Sequence, residues 1–198
     1  MRFFSRKSLA LACVSLALGA VATPGLYTHS NGVAQESTKS ETLSFANGKI
    51  TVEKPASWKT VPPKSNIVQY EFRAPAEGDQ TARVTVMGAT GGIEANIVRW
   101  IGQFEGLTRA DAKIDKKTIQ KTTVHIVELE GTYKDSMGGG QFAPGPVKKM
   151  ENHAMIGLIF ELEGGETVFV KMTGPKKTVA AEREAVMKMV EGLKTKGS

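Results

Sequence analysis

The chain has 198 residues, with 26 lysines and arginines against 20 acidic residues, a formal net charge of +6, 40% apolar residues and one cysteine. Arg2, Arg6 and Lys7 precede an apolar run from Leu9 to Ala22 and no acidic residue comes before Glu36, so the chain beyond that leader carries only +3. The lone Cys13 lies inside the leader, which excludes disulfides, thiolate catalysis and cysteine metal sites from the remainder, and so mild a charge with few aromatics argues against nucleic-acid binding.

The leader has the order of an export signal, basic and then apolar, and its apolar run of about 14 residues is short for a membrane span, which needs roughly 20. Small residues allow cleavage after Ala22 or after Ala34, and the polar, turn-rich stretch leading to Ala34 favours the second. Ser5, Arg6, Lys7 and Leu9 resemble a twin-arginine signal whose second arginine is a lysine. Ala10 stands where a lipoprotein signal normally has leucine, so lipid attachment at Cys13 is not expected. The expectation is an exported protein of the periplasm, cell envelope or exterior. Residues 1–34 form signal and lead-in, 35–41 the rest of the lead-in, and 42–195 a single domain. A domain of that size buries about two thirds of its unfolded surface without staples.

The first predicted element is a hairpin: Leu43 and Phe45 alternate on one arm, Ile50 and Val52 on the other, with Asn47 and Gly48 at the turn. Pro55, Pro62 and Pro63 break the next stretch into a connection that sinks Trp58 against the core. "IVQYEFR" and "ARVTVMG" read as strands with Val68, Tyr70 and Phe72, then Ala82, Val84 and Val86, facing inward. Ile93, Ile97, Trp100, Ile101 and Phe104 recur at helical spacing, with Gly106 placed for a left-handed cap. "KIDKKTIQK" reads as a solvated basic stretch.

"TTVHIVELEGTY" returns to strand, with Val127, Leu129 and Tyr133 on one face. From Ala154 to Leu162 both alternating sets are apolar, which requires a layer on each side of the strand, and the Gly164–Gly165 turn folds it onto "TVFVKM". These two strands are expected at the centre of the sheet. Thr178 is placed to cap a last helix with a stripe of Val179, Val186, Val190 and Leu193, and Lys188, Lys194 and Lys196 lie near its C-terminal end. Hairpins dominate, so the fold class is α+β: a mainly antiparallel sheet with helices on both faces.

"NIVRWIGQF", "VELEGTY" and "IGLIFELEGGETVFVKMTGPKKTV", together with "PASW", resemble a group of exported bacterial proteins with the PsbP-like α/β/α sandwich, over most of residues 42 to 195. That fold is shared by an extrinsic photosystem II subunit and a nuclear-import accessory factor. The resemblance implies a binding or assembly role rather than catalysis, and it assigns no binding residue.

"MGGGQFAPGPVKK" is the one stretch that invites a phosphate-loop reading. It lacks the glycine–lysine–hydroxyl ending, and Pro144 and Pro146 remove donors where they would be needed. It reads instead as a long connection from Ser136 to Met150, with Gly139, Gly140, Gln141, Phe142, Lys148 and Lys149 as a candidate contact surface. Arg99 and Gln103, four apart on the polar side of the first helix, are a second candidate, able jointly to meet a carboxylate or a backbone edge. His125, His153, Glu128 and Glu130 form no catalytic or metal-ligand pattern along the sequence, so neither cofactor nor metal is expected. The functional expectation is a non-catalytic accessory protein that binds a protein or small ligand in the cell envelope. The rivals are an enzyme whose site residues are distant in sequence and an envelope-associated structural protein.

Overall fold

A computed structural model of the chain describes residues 41–75, 77–88, 90–136 and 146–196. In chain order these form β1 (Thr42–Phe45), β2 (Ile50–Glu53), β3 (Lys59–Val61), β4 (Tyr70–Ala74), β5 (Ala82–Gly88) and α1 (Ile93–Ile101). A 3₁₀ turn (Arg109–Asp111) follows, then β6 (Lys113–Ile119), β7 (Thr122–Ser136), β8 (Val147–Glu161), β9 (Thr167–Pro175), α2 (Lys176–Glu191) and β10 (Lys194–Thr195). Seven strands make one sheet in the order β3-β4-β5-β9-β8-β7-β6, and β1-β2-β10 make a small second sheet. Every pairing is antiparallel. The class is α+β.

The apolar runs in β8 and β9 explain the architecture. Ala154 to Phe160 are all buried, and alternate residues go to two separate apolar clusters. Ala154, Ile156, Leu158 and Phe160 join Val179, Val186, Met189 and Val190 of α2 and Leu43, Phe45, Ile50 and Val52 of the small sheet. Met155 and Ile159 join Ile97, Trp100 and Ile101 of α1, and Ile159 is 0% exposed. β9 is the fourth of the seven strands with β8 beside it, as the two-sided apolar pattern requires.

Gly157 is where the interface with α1 becomes close. A methyl group built on it would lie 2.3 Å from Trp100 Cζ3, so the absence of a side chain is what seats the indole on the strand. Trp100 then meets Phe169 of β9 edge-on, ring centroids 5.9 Å apart.

Several elements differ from the sequence reading, each for a local reason. α1 stops at Ile101 rather than running on to Gly106, because Gln103 to Glu105 pair with β7: Lys134 N–H donates to Gln103 O at 2.7 Å and Glu105 N–H to Thr132 O at 2.9 Å. Gln103 therefore sits in the turn after the helix, not on it. α2 begins at Lys176 straight out of β9, and Thr178 does not cap it; its hydroxyl donates to Gln80 O at 2.8 Å. Lys194 belongs to β10 and pairs with Thr51, a strand too short to carry a periodic signal. β3 and β6 are further strands at the two outer positions of the large sheet. β3 is masked in sequence by its flanking prolines and β6 by its charge. The hairpin, the packing of Trp58 (2% exposed) and the shared face of Val127, Leu129 and Tyr133 match their expectations.

Candidate functional site

α1 does not cover its whole side of the large sheet. Trp100 occupies Gly157, and the next positions across the same row are Lys171 of β9, Thr85 of β5 and Glu71 of β4. Past the helix the row turns from apolar to polar. A cavity of about 160 Å³ opens at that boundary. Met87, Trp100 and Phe169 supply its apolar walls; Thr85, Asn96, Arg99, Gln103 and Lys171 supply its polar groups.

Lys171 is the unusual member. It is half-buried, and Nζ donates to Gln103 Oε1 at 3.0 Å and lies 5.7 Å from the centre of the Tyr133 ring, a cation–π contact. Burial pushes its pKa down to about 8, helped by the positive charge of Arg83 and opposed by Asp135. The carboxylate nearest along the row, Glu71, is committed elsewhere. It is 2% exposed, takes Arg83 Nε and Nη2 at 2.8 Å each, and accepts from Lys64 N–H at 3.0 Å. Arg83 thus holds the Glu71 carboxyl below its ordinary range.

Two buried hydroxyls stand on the same face. Thr85 Oγ1, between Glu71 and Lys171, and Thr173 Oγ1, opposite Arg83, have no hydrogen-bond partner among the described residues. On the helix side Asn96 is fixed by its amide, which donates to Gly92 O at 2.7 Å and Thr90 O at 3.2 Å, and its Oδ1 accepts from Arg99 Nη1 at 2.7 Å. Gln103 is held by its backbone pairing to Lys134. The cavity lining therefore contains two cations, two amides and a hydroxyl, and no carboxylate.

Arg99, on α1, and Gln103, in the turn after it, line the same cavity. Lys148 and Lys149 lie apart from them, on the strand portion of the β7–β8 arm, where Lys148 faces Asp135 and Lys149 pairs with Glu105. The connection there is shorter than the sequence suggests, since the strands run to Ser136 and resume at Val147. Gly139, Gly140, Gln141 and Phe142 lie outside the described residues. Lys171, Thr85 and Asn96 are site residues that the sequence reading missed. The signal for Lys171 was available: it is the only charge in "TVFVKM", a strand apolar on both faces.

The side chains considered for catalysis do not converge. His125 is buried, with Nε2 3.1 Å from Glu161 Oε2. His153 stacks on Tyr133, and its Nδ1 is 2.9 Å from Glu151 O. Arg183 of α2 clamps Glu128 through both carboxylate oxygens and lowers its pKa, while Glu130 pairs with Lys176. Among the described residues no group of three or more His, Cys, Asp or Glu side chains is placed to hold a metal ion. No helix among them is long and apolar enough to cross a membrane.

With this geometry in hand, the chain can be set beside known proteins. No protein-family model matches it, and no curated protein matches it. Among solved structures it is similar to the solution structure of cyanobacterial PsbP (CyanoP) from Synechocystis sp. PCC 6803. The two are 11% identical, the match covers 90% of this chain and 99% of that one, and the TM-score is 0.47. The chain resembles PsbP-like proteins in fold. It is also similar to the Ran-binding protein Mog1p of Saccharomyces cerevisiae, at 9% identity, covering 79% of this chain and 95% of that one with a TM-score of 0.44. These likenesses carry no residue and no role over to this chain.

Proposed function

We propose that this protein is an exported accessory protein of the cell envelope that binds a partner without turning it over, and that the cavity beside α1 is where it does so. The basic and apolar leader supports export. The two apolar clusters support a three-layer body, one helix on each face of the large sheet, and such a body offers a rigid floor to the cavity. The observation that carries the binding role is Lys171, an amine drawn into the protein with only neutral partners. Burying a charge in this way costs free energy, and a partner that supplies an acceptor to the amine recovers it.

Three other cavities among the described residues offer less. Those lined by Lys121 and Glu163, by Lys54 and Glu41, and by Lys176 and Glu130 hold charges that already pair across them. The test uses the full chain and an Arg99→Ala/Gln103→Ala variant, each immobilised and exposed to envelope extract. Bound proteins and small molecules are then eluted and identified by mass spectrometry. The reading requires a partner that is recovered chemically unchanged and is lost with the double variant. Equal recovery by both, or elution of a product in place of the partner, overturns it.

A further inference from the structure

The cavity beside α1 has two unlike ends, and this narrows what fits it. Met87, Trp100 and Phe169 offer a body of apolar contact, while Lys171, Thr85 and Arg99 gather on the polar side. Its volume of about 160 Å³ is roughly that of five water molecules, room for about five non-hydrogen atoms. Every carboxylate near the polar end has another commitment or stands outside the lining: Glu71 is bidentate to Arg83, and Asp135 is exposed on β7. Resting on the reading of this cavity as the binding site, we infer that its ligand is a short-chain monocarboxylate, whose head accepts from the Lys171 amine while its alkyl part lies against Trp100 and Phe169.

Lys171 and Arg99 have separate roles in this. Lys171 has donors left over after Gln103, and an ammonium-to-carboxylate hydrogen bond is stronger than one between neutral groups. Thr85 Oγ1 is fully enclosed, so it stands behind the cavity wall and takes no part in holding the head. Arg99 is exposed at the mouth, held by Asn96, where its charge draws in an anion without being desolvated. The charged and titratable groups around Lys171 are Arg83 on β5, Arg99 on α1, and Tyr133 and Asp135 on β7. Of these only Asp135 opposes an incoming anion. Binding requires the charged amine, so affinity falls as pH rises through the Lys171 transition near 8.

The experiment is a titration of the full chain at pH 7 with sodium propionate, the neutral isostere propanamide, and inorganic phosphate, followed by amide and indole NMR resonances. The chain has two tryptophans, and Trp100 alone lines the cavity, so one indole signal moves and the Trp58 signal stays. For so small a ligand a Kd on the order of 1 mM is expected. Lys171→Met weakens propionate about tenfold to a hundredfold, Thr85→Val, which alters only an enclosed hydroxyl, leaves it within about twofold, and Lys171→Arg restores part of the loss. Lys171→Arg keeps the positive charge, and the comparison of propionate with propanamide on the parent chain reads the same contact without any substitution.

The inference is overturned if propionate does not saturate at about fifty times that concentration, if propanamide binds as tightly, or if phosphate binds and propionate does not. It is also overturned if Lys171→Met leaves the affinity unchanged. Failure here is separable from failure of the broader reading, because partner capture through Arg99 and Gln103 requires no carboxylate.

Discussion

Replacing Gly157 with alanine tests the packing on which the cavity depends. The added methyl would lie 2.3, 2.7 and 2.9 Å from Cζ3, Cε3 and Cη2 of Trp100, all far inside ordinary contact. The strand cannot retreat, because Gly157 is paired on one side with Val127 and on the other with Lys171. The indole is itself confined, 6% exposed and edge-on to Phe169. Alanine in place of a strand glycine would otherwise stabilise by roughly 0.5–1 kcal/mol through the unfolded chain. Overpacking a fixed site costs about 1–3 kcal/mol, and full expulsion of the tryptophan about 3–5 kcal/mol.

The net expectation for Gly157→Ala is a loss of about 2 kcal/mol in urea unfolding followed by circular dichroism. In a Trp100→Ala background the same change should be neutral or mildly stabilising, giving a coupling energy of about 2 kcal/mol. Identical costs in both backgrounds, or a single-variant cost below about 0.5 kcal/mol, would refute the argument that the glycine exists to seat the indole.

Other outcomes follow from contacts of the same kind. Gly174→Ala should cost about 3 kcal/mol by the same measurement, because the new methyl would meet Ala82 Cα at 2.6 Å and that atom belongs to the neighbouring strand's backbone. Glu71→Gln should cost about 1–2 kcal/mol at pH 7, softened by the half-exposed Arg83. Because the Glu71 carboxyl is held below its ordinary 4.5, its contribution is fully present above that pH and disappears as pH falls through the lower folded value, so the two proteins should converge in acid. Lys171→Met should be more stable than the parent at pH 7, by on the order of 1–2 kcal/mol. The folded amine titrates near 8 and the unfolded one near 10.5, so between these values the unfolded chain binds more protons, the parent gains stability with rising pH, and the advantage of the variant vanishes by about pH 10.5.

The large features of the fold were legible because they follow from periodicity. Two apolar faces predict a strand buried on both sides, as Ala154 to Phe160 are, and Asn47–Gly48 between alternating arms predicts the β1–β2 hairpin. The parts that escaped are those decided by tertiary partners. α1 ends early because β7 claims the backbone of Gln103 and Glu105, a competition invisible in the helix's own residues. β10 has two residues and exists only through β2. Glu71 alternates as though solvated, yet it is buried because Arg83 stands opposite Arg73 and reaches back to it across the strands.

The site was half legible. Arg99 and Gln103 announce themselves as polar residues beside an apolar stripe. Asn96, by contrast, resembles any helix-surface amide until Thr90 and Gly92 fold beneath it. Thr85 looks like an ordinary strand residue, and only the three-dimensional accounting of hydrogen bonds shows its hydroxyl to be idle.

The outermost strands of the large sheet bear on how copies of this chain meet one another. A free strand rim is a template for another chain, and both rims here are poor ones. β3 offers three residues before Pro62 and Pro63, which cannot donate to a ladder. β6 is longer, but it is charged along its length: Lys113 and Lys117 pair with Glu128 and Glu191, Asp115 and Lys116 stand between them, and an incoming strand would have to accommodate all four. The stretch that looks in sequence like a featureless basic run thus gives the sheet a charged rim, and neutralising Lys116 and Lys117 is the change expected to raise self-association on that side.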